Sequence, residues 1–315
     1  FQLDDPVSAY IPSFLKLRVY QEGLTGNFKT TSPEREMTIR DLLSHQSGLT
    51  YGFMERTNVD AAYRKLGIEK ESQESLKEFV EVLSSIPLEF SPGRAWNYSV
   101  STDVCGYLIE VISGKTLEEF FQREIFEPLG MIDTGFYVPA HKISRLASCY
   151  EHDDSGEPIL VDNSISGAFL TLPKVLSGGG GLVSTLDDYI SFCKMILNGG
   201  SLNHQQIISR KTLGLMAANH LPNGNDLRSC ALGRWSETSY TGVGFGLGFS
   251  VLLDPAASQV SGSVGELAWG GAASTAFWID PLEDLAVVFL TQLLPSSQFN
   301  VRRELRSLVY SAISD

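Results

Sequence analysis

Two hydrophobic periods share this chain, and they occupy different parts of it. Over the first two-thirds the apolar residues recur at helical spacing. Over the last third they recur at every second position, as in a strand. Helices followed by short strands with tight turns predict an α+β fold, an antiparallel sheet flanked by helices beside a mainly helical domain. We place the boundary after residue 225, with a mainly helical domain over 1–225 and C-terminal strands plus a helix over 226–315.

The helical part is punctuated clearly. "TIRDLLSHQSGL" reads as a short helix ending at Ser47-Gly48. Leu76, Phe79, Val80 and Leu83 form one stripe, which stops before Pro87. A helix from Ser101 carries Val104, Leu108, Val111 and Ile112 and stops at Gly114. Thr116 and Glu119 have capping-box spacing, and Ser184 with Asp187 repeats it ahead of Leu186, Tyr189, Ile190, Cys193 and Leu197. In the last third, "GVGFGLGFSVLLD" alternates glycine with Val243, Phe245, Leu247 and Phe249, so one strand face is bare and another element can approach it closely. "ELAWGGAASTAFWID" and "LAVVFLTQLL" read as further strands, joined by a hairpin turn at Pro281–Asp284. A final helix has Leu305, Leu308, Val309 and Ala312 on one side.

Composition excludes several functions. The net charge of −13 suits neither nucleic acid nor an anionic membrane surface, and no basic run makes a local exception. No segment reaches eighteen uninterrupted apolar residues, so no membrane span is expected. Cys105, Cys149, Cys193 and Cys230 form no CxxC pair or Cys/His cluster, so no metal site is expected. Nothing demands an oxidising compartment, which favours a cytoplasmic setting.

Several motifs fail on spacing. "VLSGGGGLVST" lacks the Gly-Lys-Ser/Thr ending of a phosphate loop. The glycines of "GVGFGLGF" miss the GxGxxG spacing. HExxH and GxSxG are absent, and no two of the five histidines share a metal-ligand spacing, which leaves them as surface or structural residues. SxxK occurs at Ser13–Lys16 and Ser191–Lys194, but the first lies in no clear helix and the second on a polar helix face, so both read as chance matches. Tyr98, in the polar stretch "NYSV" at the mouth of the Ser101 helix, is by itself a half-buried packing residue.

Five stretches, taken together and in order, change that reading of Tyr98. They are "LDDPVSAYIPSF", "TIRDLLSHQSGL", "FSPGRAWNYSVSTDVCGYLIEVISGKTLEEFFQREIFEPLGMIDTGF", "SGGGGLVSTLDDYISFCKMILNGG" and "AWGGAASTAFWIDPLEDLAVVFLTQ". The chain resembles the serine β-lactamase and penicillin-binding-protein-like family, in the branch of the class C enzymes and family VIII carboxylesterases. The resemblance implies a β-lactamase/transpeptidase-like fold and three motifs: SxxK, Tyr-x-Asn and Lys-Thr-Gly. Tyr98 matches the second, as the proton-transfer residue. Trp269, Gly270 and Gly271 match the third in its esterase form, and the next N–H, at Ala272, becomes an oxyanion donor. In the family SxxK precedes "LDDPV", so the nucleophile, its lysine and the N-terminal part of the sheet are expected to be missing here: carried on a separate N-terminal segment, lost from a truncated sequence, or absent from a natural product without catalysis.

Two departures bear on substrate. Val100 stands where family β-lactamases have an amide-binding asparagine, and Trp269 stands where they have a lysine that attracts a carboxylate. Valine cannot hydrogen-bond and tryptophan offers an apolar wall. Both favour a small neutral ester as substrate, with Val100, Trp269, Gly270 and Gly271 as substrate-binding residues and no cofactor. The expectation is therefore a serine carboxylesterase working through an acyl-enzyme. The alternatives are a non-catalytic fragment or pseudo-enzyme without SxxK, and a β-lactamase or D-Ala-D-Ala peptidase.

Overall fold

The computed structural model describes residues 1–68, 73–153, 155–233 and 240–314. The chain forms two compact units that interleave in sequence. The first comprises Phe1–Phe120, Pro173–Gly181 and Cys230–Trp235; the second comprises Phe121–Leu172, Leu182–Ser229 and Ser236–Asp315. The expected division had one boundary, after residue 225. Periodicity sees only local runs, whereas short returning segments enter the first unit through contacts distant in sequence, such as the parallel bridge between Trp96 and Ala231 and the Ser177–Asp103 hydrogen bond.

In the first unit, β1 (Val19–Leu24) and β2 (Asn27–Thr31) form an antiparallel ribbon. The helices that shape the site follow: α1 (Ile39–Leu43), α2 (Asn58–Leu66), α3 (Leu76–Leu83) and α4 (Ser101–Ser113). α1 is shorter than expected. Its Thr38–Asp41 capping box starts it, but His45 has φ 55°, which ends the helical path before Ser47. α3 buries all four residues of its stripe. α4 starts at Ser101 and ends at Gly114 as expected, but only the first half of its stripe, Val104 and Leu108, is buried; Val111 and Ile112 are exposed. The core of this unit is built from Val7, Leu42, Leu49, Val80, Leu83 and Trp96.

The second unit holds the main sheet. β3 (Cys149–His152) and β4 (Pro158–Asp162) pair antiparallel in a small three-stranded sheet, completed by the short strand Leu293–Leu294 lying parallel to β3. α5 (Leu186–Leu197) and α6 (Arg210–Met216) precede five strands: β5 (Val243–Phe245), β6 (Ser250–Leu252), β7 (Leu267–Gly270), β8 (Ala276–Asp280) and β9 (Leu285–Phe289). They pair antiparallel throughout, in the order β9-β8-β7-β6-β5. The runs read as single strands, "GVGFGLGFSVLLD" and "ELAWGGAASTAFWID", are each a hairpin. Glycine-rich turns interrupt them without breaking the alternation, so the period alone hides the reversal. The bare glycine face is used as expected: a Cβ on Gly246 would lie 2.1 Å from Met216 O.

One sheet face packs on α5, through Val251, Leu267, Phe277 and Ile279 with Cys193 and Ile196. The α5 cap sits one residue later than expected, because the Thr185 side chain accepts from Asp188 N. Ser184-x-x-Asp187 and Thr185-x-x-Asp188 have equal spacing, and burial of Asp188 selects the second. The final helix, α7 (Val301–Ser311), meets the opposite sheet face with an unexpected side. Leu308, on its apolar stripe, is 69% exposed. Arg302, Arg306 and Tyr310, at helical spacing, reach inward instead. The Tyr310 hydroxyl lies 2.6 Å from Glu266 Oε2 and 2.8 Å from Asp280 Oδ2. Arg306 pairs with Glu266 and lies 4.7 Å over the Trp278 ring. Burial pushes the Glu266 carboxyl upward, and the arginine opposes that shift.

Candidate active site

Tyr98 is held by its neighbours on both sides. Trp96 donates its N–H to Cys230 O at 2.9 Å and accepts from Leu232 N at 3.0 Å. Asn97 is buried; its N–H donates to His45 O and its Nδ2 to Leu49 O and Glu89 Oε2, each at 2.8–2.9 Å. Arg56 Nη2 reaches Asn97 Oδ1 at 2.7 Å. Burial pushes the Glu89 carboxyl upward, against its Thr57 hydrogen bond and the Arg56 charge. On the other side, Ser99 and Ser101 are fully buried, and their hydroxyls meet at 2.8 Å. Ser47 Oγ continues the chain 2.7 Å from Ser101 Oγ, and His45 Nδ1 lies 3.3 Å from Ser99 Oγ. With both flanking residues locked, the half-buried Tyr98 ring is left in an aromatic nest of His45, Tyr51 and Trp96, at 5.0, 5.1 and 6.4 Å between centroids.

His45, Asn97, Ser99 and Ser101 were not singled out by sequence reasoning as members of this site. Their role depends on contacts across long sequence separations, and only the polar character of "HQS" and "NYSVS" hinted at it. Burial pushes the His45 imidazole down to about 3, so it is neutral at any ordinary pH. Val100, expected to face substrate, is buried at 1% exposure, and its N–H donates to Thr50 O at 3.3 Å.

The tetraglycine run has a structural use. Asp103, in the first turn of α4, accepts from Ser177 Oγ at 2.5 Å and from Gly179 N at 3.2 Å. Its burial pushes the carboxyl upward, against these two hydrogen bonds. The loop lies so close to α4 that a Cβ on Gly178 would be 2.4 Å from Thr102 O. One on Gly179 would be 2.9 Å from Tyr51 Oη. The glycines thus let this loop press on the helix that follows Tyr98 and on a tyrosine that packs against it.

The remaining expected residues lie in the second unit. Trp269 and Gly270 end β7, paired with Phe277 and Ala276 of β8. The Trp269 ring meets Phe245 edge-on at 5.1 Å. Gly271 and Ala272 open the β7–β8 turn, which Gly271 N closes by donating to Thr275 O at 3.0 Å. Ala272 is exposed, and its N–H makes no hydrogen bond among the described residues. An exposed, unpaired N–H on a hydrogen-bonded turn can receive a developing oxyanion.

Neither SxxK string forms a serine–lysine pair among the described residues. Ser13 lies in a short 3₁₀ turn with its Oγ buried and unpaired, and Lys16 is exposed. Ser191 Oγ donates to Asp187 O at 2.9 Å. Among the described residues no group of His, Cys, Asp and Glu could hold a metal ion, and no helix is long and apolar enough to cross a membrane.

A tyrosine on a locked loop before a helix, and a glycine turn with a bare N–H on an antiparallel sheet, are features of the serine β-lactamase and penicillin-binding-protein class. The Beta-lactamase family model matches residues 1–311, and the chain belongs to that family of β-lactamase-fold hydrolases. It is 31% identical to esterase EstB of Burkholderia gladioli over 309 residues, 92% of this chain and 70% of that protein. It is 30% identical to lovastatin esterase of Penicillium rubens over 269 residues, 81% of this chain and 64% of that protein. Among solved structures, EstCE1, a hydrolase with promiscuous acyltransferase activity, matches with a TM-score of 0.78 at 27% identity, covering 98% of this chain and 78% of that one.

Proposed function

We propose that this chain contributes to an esterase or acyl-transfer enzyme that acts on small neutral esters through an acyl-enzyme. The observation that carries the reading is the Trp269–Ala272 turn, with an apolar ring where a carboxylate-binding cation would stand and an unpaired Ala272 N–H. The resemblance to proteins named as esterases supports it. In this reading a serine from an SxxK segment outside these 315 residues attacks the ester carbonyl. Negative charge gathers on the carbonyl oxygen and is met by Ala272 N–H. Tyr98 passes the serine proton to the departing alcohol. Water, or a second alcohol, then takes the acyl group and returns the proton.

Free tyrosine titrates near 10, so the phenol needs a cation beside it to work at neutral pH. The lysine of SxxK is the group that the family reaction assigns to this. A non-catalytic role for these 315 residues alone is the second reading, and the lack of a serine–lysine pair in either string favours it.

Tyr98→Phe tests the enzyme reading in the chain joined to its SxxK segment. The change removes one hydroxyl and keeps the ring in its nest. The p-nitrophenyl butyrate rate should fall about 10²–10⁴-fold, the usual worth of a general acid–base group, with the thermal midpoint unchanged. Wild-type turnover would return Tyr98 to a packing role.

A further inference from the structure

The turn that carries Ala272 is gripped from behind by a residue outside all three motifs. Arg302, the second residue of α7, donates from Nη2 to Gly271 O at 2.6 Å and to Thr275 O at 3.0 Å. These two carbonyls stand on either side of the turn. Gly270 makes room for the guanidinium: a Cβ there would lie 2.6 Å from Arg302 Cζ, and its three nearest atoms all belong to Arg302.

Gly271 C=O and Ala272 N–H are two ends of one peptide group. A trans peptide is planar and points them in opposite directions. With the carbonyl held toward α7, the N–H is aimed away from it. A cation on the carbonyl oxygen also draws charge through the conjugated amide, and a polarised amide is the better donor.

We propose that Arg302 is a positioning residue for the oxyanion: it locks and polarises the Gly271–Ala272 peptide so that the Ala272 N–H is set before substrate arrives. The proposal rests on the assignment of Ala272 made above. An anion site is the competing use for the arginines that line the cavity of about 310 Å³ between α7 and the sheet. It is disfavoured because Arg303 is committed to Gln259 O and Arg306 to Glu266.

The sequence allows a direct test, because it contains two Gly–Ala bonds, Gly167–Ala168 and Gly271–Ala272. Glycine labelled with ¹³C at the carbonyl and alanine labelled with ¹⁵N therefore give two cross-peaks in a carbonyl-to-amide correlation spectrum of this chain. In Arg302→Gln the Gly271 carbonyl carbon and the Ala272 amide proton should both move upfield, while the Ala168 peak stays. Arg302→Lys, which keeps a cation, should fall between the two. Gly270→Ala, whose methyl displaces the guanidinium, should repeat the Arg302→Gln shift, and it decides the matter if Arg302→Gln disturbs the Ala168 peak as well. An unmoved Ala272 peak in Gly270→Ala, or in an undisturbed Arg302→Gln, overturns the proposal. The oxyanion reading has its own test, an amide-to-ester replacement at residue 272 in the chain joined to its SxxK segment. There kcat should fall roughly 10²–10³-fold; an unchanged kcat defeats the Ala272 assignment without altering what the spectra say of Arg302.

Discussion

At the scale of single residues, His45 shows how burial alone can fix a charge state. It is 2% exposed and edges against Trp96 and Tyr98. A neutral imidazole cannot lower the Tyr98 phenol by charge, so in the proposed reaction that work falls to the lysine of SxxK. The same burial makes stability depend on pH. In the unfolded chain His45 takes up a proton below about pH 6.5; in the fold it does so only near pH 3. The folded form is therefore undisturbed above about pH 6.5, and it loses stability as pH falls toward 3. Between about pH 6.5 and pH 4 the loss from this group should be on the order of 3 kcal/mol. His45→Gln removes the titration, so calorimetric midpoints of the variant should fall less steeply over that window. Parallel slopes for the two proteins would assign the acid sensitivity elsewhere.

At the scale of elements, the glycine loop over residues 177–181 offers a comparison with a built-in control. Gly179 and Gly180 are neighbours of the same type, yet only one is crowded. A Cβ on Gly179 would meet Thr102 Oγ1, Tyr51 Oη and Asp103 Oδ2 at 2.9–3.0 Å, whereas one on Gly180 would meet nothing within 4 Å. Gly179→Ala should cost about 1–3 kcal/mol, as overpacking does, and Gly180→Ala should stay within about 0.5 kcal/mol of wild type. Chemical denaturation measures both; equal midpoints would mean that the loop does not press on α4. From sequence these glycines read as a failed phosphate loop and as part of one family-like stretch, but not as a packing surface, because the surface they fit is contributed by a helix some seventy-five positions earlier. The same limit explains α7. Its apolar stripe was legible and its inward face was not, since the partners of Arg306 and Tyr310 are Glu266 and Asp280, brought together by strand pairing. Local signals were read well where the partner is also local: the α3 stripe, the Thr116–Glu119 box and the Pro281–Asp284 turn. The roles proposed for Tyr98 and Ala272 come from resemblance alone, because neither a phenol nor a backbone N–H leaves a periodic signal in sequence.

At the scale of the whole chain, the proposed chemistry and the open sheet edge lead to linked expectations. These 315 residues contain SxxK twice, and in neither does a lysine amine meet a serine hydroxyl. Mixed with p-nitrophenyl butyrate, the chain should release no stoichiometric burst of p-nitrophenol, and mass spectrometry should find no butyryl group on Ser13 or Ser191. A labelled serine at either position would relocate the nucleophile into this chain. The edge expectation concerns β9, which pairs with β8 on one side and with no strand on the other among the described residues. Its five residues, Leu285 to Phe289, are all apolar and all partly exposed, and the next, Leu290, is 45% exposed. Uninterrupted apolar runs belong to strands covered on both faces. Left at an edge, such a strand exposes unpaired N–H and C=O groups beside apolar side chains and templates pairing with another chain. The 315-residue chain should therefore self-associate as its concentration rises, as light scattering would register. Val287 faces Trp278 across the β8–β9 pair. Val287→Lys places a charge on the edge strand, the device by which edges resist pairing, and should shift the chain toward monomer without changing its helix and strand content. A wild-type chain that stays monomeric, or a lysine variant that associates equally, would show that the β9 edge does not drive association.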